Sequence, residues 1–102
     1  MFLEDFEALP TEFALNQNYP NPFNPITTLS YELSKNAFVN VSVYDINGSA
    51  VRTLVNSYQN SGFNTIQWDA KNDFGYLVAA GVYIYTIQTN EFNDTKKMIF
   101  VK

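Results

Sequence analysis

Thr27-Thr28-Leu29-Ser30-Tyr31-Glu32-Leu33 alternates without a break. Leu29, Tyr31 and Leu33 fall on one face and Thr28, Ser30 and Glu32 on the other, the period of two that belongs to a half-buried strand. The same period recurs on both sides of it. Residues 38–45 turn Val39, Val41 and Val43 inward against Asn40 and Ser42, and Asn47-Gly48 then offers residues suited to positive φ in a tight hairpin return to 50–55. Asn60-Ser61-Gly62 marks the next turn. Residues 63–68 set Ile66 and Trp68 on one face and Thr65 and Gln67 on the other, with Trp68 as the core anchor. Residues 69–75 read as a polar loop and 77–80 as a short apolar return. Residues 81–89 are the most apolar run, with Val82 and Ile84 opposite Tyr83, Tyr85 and Ile87, so both faces are expected to be covered and the strand to lie mid-sheet. A last strand over 95–102 alternates Met98 and Phe100 with Lys97, Ile99 and Val101, and 13–17 form a weak edge strand that prolines halt. Short runs punctuated in this way predict an all-β, antiparallel sandwich of about seven strands, with Leu29, Tyr31, Val41, Val43 and Trp68 in its core.

At 102 residues the chain is long enough for one core and too short for two domains. Residues 1–11 are acidic and aromatic without a sustained period and read as a linker from a larger protein; 12–102 are the domain. Cysteine and histidine are both absent, which excludes disulfides, thiolate metal sites and imidazole acid–base chemistry. A net charge of −4 and a pI near 4.5 argue against nucleic acid or an anionic membrane as partner, since both select a basic footprint. No apolar run reaches the length of a spanning helix, so no direct membrane insertion is expected. Met1 begins a stretch without the basic and apolar regions of an export signal.

Catalytic chemistry finds little to work with. The acids Glu32, Asp45, Asp69, Asp73, Glu91 and Asp94 lie at strand ends, on polar faces or in turns, and no nucleophile, base and orienter can be assigned among them, so the chain is expected not to be an enzyme. Asp69-Ala70-Lys71-Asn72-Asp73-Phe74-Gly75 has the wrong spacing for a calcium loop, with Lys71 third and Phe74 sixth. A hydrogen-bonded turn is expected there, with no metal and no cofactor. Strand-alternating Tyr and Phe are expected in the core in preference to a sugar-stacking platform. Pro22-Phe23-Asn24-Pro25 matches PxxP, yet Phe23 is better placed to fold back and cap the sandwich.

Asn16-Gln17-Asn18-Tyr19-Pro20-Asn21-Pro22-Phe23-Asn24-Pro25 cannot be a helix or a central strand, because each proline lacks an N–H and pushes its predecessor toward extended geometry. Together with Leu15 and Thr27, this run resembles the opening signature of the type A C-terminal sorting domains of the bacterial type IX secretion system. The resemblance continues through Val43-Tyr44-Asp45-Ile46-Asn47-Gly48, Val51-Arg52-Thr53-Leu54, Gly62, Trp68-Asp69, Gly75, Gly81-Val82-Tyr83 and Lys96-Lys97-Met98-Ile99-Phe100-Val101-Lys102. Its middle is also similar to the immunoglobulin-like domain of flagellar hook-capping proteins. Ala70 departs from the pattern, where glycine is frequent, and bears on loop shape. The resemblance implies an immunoglobulin-like sandwich that acts as a passenger tag. Its cargo lies upstream and crosses the periplasm, an outer-membrane translocon and a shuttle protein recognise the domain, and a surface sortase removes it and leaves the cargo on the cell surface or outside the cell. It implies recognition through Pro20, Asn21, Pro22, Phe23, Asn24 and Pro25, through Gly81, Val82 and Tyr83, and through Lys97, Met98, Ile99, Phe100, Val101 and Lys102. A terminal strand with an unpaired edge would suit such a role. A permanent structural or adhesion module is the alternative.

Overall fold

The computed structural model describes residues 9–102, so most of the expected 1–11 linker lies outside the described residues. Seven strands follow in order: β1 (Ala14–Leu15), β2 (Thr27–Leu33), β3 (Ala37–Asp45), β4 (Ala50–Gln59), β5 (Gly62–Trp68), β6 (Gly81–Gln88) and β7 (Asn93–Phe100). They form two antiparallel sheets, β1-β2-β5 and β4-β3-β6-β7, packed as an immunoglobulin-like sandwich. β2 has the bounds and the face that its alternation predicts, and pairs with β5 from Thr27↔Trp68 to Leu33↔Gly62. Leu29, Tyr31, Val41 and Val43 are buried between the sheets. Trp68 is fully buried, its ring centroid 5.7 Å from Phe23 and 5.4 Å from Tyr83, and its indole N–H donates to the Lys71 carbonyl at 2.9 Å. That bond satisfies the one polar atom that so large an apolar side chain brings inside.

Several strand details differ from the sequence expectation, each for a local reason. Asn47 keeps a negative φ: only Gly48, at φ 86, turns left-handed, because the Asp45 carboxylate accepts from the N–H groups of Asn47 (2.9 Å) and Ser49 (3.0 Å) and closes the turn itself. Ser42 is buried, in mid-strand with pairing partners on both sides, its hydroxyl donating to Asn40 Oδ1 at 2.7 Å. β4 runs four residues past Val55, because Asn56, Ser57, Tyr58 and Gln59 pair with β3 through the backbone without an apolar face to announce it. The turn before Gly62 is a crossover: β4 and β5 belong to different sheets. β6 does lie mid-sheet, and its second face is partly covered, with Ile84 and Thr86 half-buried and Val82 37% exposed. β7 stops at Phe100, leaving Val101 and Lys102 beyond it, and β1 is only two residues long.

Ala70 sits at φ 63 with its methyl fully buried, and its carbonyl accepts from Val78 N–H at 2.9 Å. A left-handed alanine costs roughly 1–2 kcal/mol, which explains why glycine would suit this corner and why the surrounding loop must hold alanine in place.

Candidate functional site

The proline-rich run and the terminal strand, far apart in sequence, meet along one edge of the four-stranded sheet. Phe23 N–H donates to the Ile99 carbonyl at 2.9 Å, and Val101 N–H donates back to the Phe23 carbonyl at 3.0 Å, a parallel bridge centred on Phe100. Asn21 Oδ1 accepts from Ile99 N–H at 2.9 Å, and Gln17 Nε2 donates to the Lys97 carbonyl at 2.8 Å. The outward backbone groups of β7 from Lys97 carbonyl to Val101 N–H are thus capped by this strap. The expectation of an unpaired terminal edge is corrected there: over 97–101 the edge is occupied by the chain's own residues, leaving side chains as the accessible feature.

Burial sorts the expected site residues into two groups. Phe23, Met98, Phe100 and Tyr83 are buried, with Phe23 stacked on Phe100 at 5.3 Å and 22°. These hold the junction together. Pro20, Asn21, Pro22, Asn24, Pro25, Lys97, Ile99, Val101 and Lys102 are exposed, and Val82 faces out beside its cross-strand partner Ile99. Gly81 opens β6 at φ 150 opposite Phe100, where left-handed extended backbone favours glycine. Val82, its cross-strand partner Ile99 and Val101 are exposed apolar side chains here, with Lys97 on the same face of β7 as Ile99, and Tyr19 of the strap is exposed as well. Lys96, Lys97 and Lys102 are three of the chain's six basic residues, and no acidic side chain follows Asp94, so residues 95–102 of a protein of net charge −4 are locally basic.

Beneath the strap lies a buried polar hub that the site expectation omitted. The Tyr85 hydroxyl accepts from Asn18 N–H at 2.7 Å and donates to the Asn16 carbonyl at 2.8 Å. Asn18 Nδ2 donates to Thr27 Oγ1 at 2.9 Å, and Thr27 Oγ1 donates to the Pro20 carbonyl at 2.8 Å. Proline-imposed loss of ladder bonds leaves carbonyls that need partners, and these three side chains supply them. Asparagine and threonine flanking prolines were the available sequence signal; the partner Tyr85, on β6, was not locally visible. Burial pushes the Tyr85 hydroxyl up to about 12, and burial also raises Tyr31 and Tyr83, the latter with help from the Asp45 charge. Because the folded values are raised, this stabilisation is fully present below the unfolded tyrosine value near pH 10 and is lost between about pH 10 and 12. Denaturant midpoints measured across alkaline pH are expected to be flat up to about pH 9 and to fall steeply above about 10, and Tyr85→Phe is expected to reduce that fall.

The acids considered for catalysis act as local acceptors. Asp73 Oδ1 accepts from Thr53 N–H at 3.0 Å, Asp69 Oδ1 accepts from Lys71 N–H at 3.3 Å, and Arg52 approaches both carboxylates at 3.9 and 3.5 Å. Glu32 accepts from Asn16, Glu91 pairs with Lys35, and Asp94 accepts from Thr95 N–H. No group of three potential metal-ligating side chains converges among the described residues. A chelator is expected to leave the melting temperature unchanged; a calcium-dependent rise of several degrees would return attention to Asp69 and Asp73.

A family model described as the FlgD Ig-like domain matches residues 24–92. No curated protein matches the chain. Among solved structures, dimeric latent PorU from Porphyromonas gingivalis aligns with a TM-score of 0.70 and 23% identity, over 85% of this chain and 9% of that one. PorZ of the same organism, an essential surface component of the type-IX secretion system, aligns at 0.60 and 20%, over 87% of this chain and 12% of its own. FlgD from P. aeruginosa aligns at 0.58 and 27%, over 72% of this chain and 57% of its own. The chain therefore spans a small part of the first two proteins and somewhat more than half of the third.

Proposed function

This chain belongs to the FlgD Ig-like domain family, and from that premise we propose that it serves as a non-catalytic C-terminal sorting signal for type IX secretion. The observation that carries the reading is the bonded junction between 17–23 and 97–101, which lies outside the family-matched residues and joins the two segments that resemble the opening and the end of the sorting-domain pattern. A receptor could read both segments at once, because the junction holds them side by side. The exposed half of the junction, lysines together with exposed apolar side chains, suits capture by a protein surface of complementary charge. The same fold occurs in a surface component of that secretion system. In this reading an upstream cargo crosses the periplasm, the outer-membrane translocon and its shuttle protein engage the junction, and a surface sortase then removes the domain, leaving the cargo on or outside the cell.

A second reading, a permanent immunoglobulin-like structural or adhesion module, is favoured by one specific observation: the family match covers the sandwich body and takes in neither β7 nor residues 16–23. The two readings separate in one experiment. The chain is fused behind a signal peptide and a reporter in a host that has the secretion system, and intact cells are labelled. The sorting reading expects the reporter at the surface; folded fusion held in the periplasm rejects it and leaves the module.

A further inference from the structure

At the other end of β6 from Gly81 lies a cleft of about 610 Å³ that the sorting reading does not use. The length of an eight-residue strand, roughly 25 Å, separates the two ends. Phe38 and Tyr58, cross-strand partners on β3 and β4, line the cleft with their rings at 89° and centroids 5.4 Å apart, and they are 48% and 77% exposed. Tyr31, Trp68, Tyr83, Tyr85 and Phe100 are strand aromatics buried in the core, whereas Phe38 and Tyr58, like Phe63, face out. Around the Phe38 and Tyr58 rings stand the exposed amides of Gln88 and Asn90, and the cleft's two charges, Lys35 and Glu91, cancel in a 2.7 Å ion pair.

We propose that this cleft binds a neutral oligosaccharide. Apolar ring faces accept the C–H faces of a pyranose, and planar amides donate to and accept from its hydroxyls. The internally neutralised ion pair leaves no net field to select an anion or a cation, which sets the cleft apart from the locally basic residues 95–102. Its volume lies within the roughly 300–1,000 Å³ typical of small-ligand sites. Rings at a right angle make a corner and not a flat platform, so the geometry suits one or two sugar units of a single soluble chain and excludes the face of a crystalline polysaccharide.

The test is a titration of the ¹⁵N-labelled chain with short soluble oligomers of glucose, mannose and N-acetylglucosamine, followed by amide signals. Saturable shifts of the Gln88 and Asn90 side-chain amides with at least one oligomer are expected. Tyr58→Ala, at a largely exposed site, is expected to keep the wild-type melting temperature and to weaken binding about tenfold. Tyr76→Ala, also exposed but outside the cleft, is expected to change nothing. Absence of shifts with all three oligomers, unchanged affinity in Tyr58→Ala, or shifts centred elsewhere on the molecule would each overturn the proposal.

Discussion

Phe23→Ala is expected to lower the unfolding free energy by ~3–5 kcal/mol, a large share of the ~5–15 kcal/mol typical of a domain. The ring is 1% exposed and touches both Phe100 and Trp68, so its removal leaves a cavity at the centre of the junction. The backbone bonds on either side of it, to Ile99 and Val101, then lose the packing that positions them. Urea denaturation reads the stability, and hydrogen exchange at the Phe23 and Val101 amides reads the detachment. Phe23→Leu keeps most of the volume and is expected to cost much less than the alanine variant. A loss below about 1 kcal/mol in Phe23→Ala would mean that the strap is held by its prolines and amides alone.

Trp68→Ala is expected to cost a similar ~3–5 kcal/mol. It is the chain's single tryptophan, fully buried, with its N–H satisfied by the Lys71 carbonyl, so truncation loses two aromatic contacts and one hydrogen bond. Wild-type fluorescence is expected to be blue-shifted; emission like that of free indole in water would refute the burial. Because Phe23 and Trp68 touch, the double variant is expected to lose less than the two single losses combined.

How much of this was legible in the sequence follows from what each part relies on. Strict alternation in 27–33 and 39–43 reports a buried face, so β2 and the inward valines of β3 could be read directly. The extension of β4 through Tyr58 relies on backbone pairing at a sheet edge, where no apolar face is required, and so it left no pattern. That omission also hid the cleft, since Tyr58 meets Phe38 only through this pairing. At the junction, resemblance named both ends, and Phe23 was rightly expected to fold inward. The capping of the β7 edge leaves no local signal, because the Phe23 backbone and the amide side chains of Gln17 and Asn21 reach a strand nearly eighty residues away. Nor does local sequence reveal that Tyr85 supplies the hydroxyl which the strap's carbonyl and N–H need.

In the proposed reading, strap and terminal strand form one recognition surface. It is tested most directly by measuring surface delivery of the fused reporter in two variants that alter exposed side chains on opposite halves, Tyr19→Ser and the double change Lys97→Gln, Lys102→Gln. Glutamine keeps part of the aliphatic stem and removes the charge, and exposed substitutions of this kind usually cost within about 0.5 kcal/mol. Both variants are expected to fold with the wild-type melting temperature and to leave the reporter in the periplasm. Full surface delivery by either one, at normal stability, would contradict that reading.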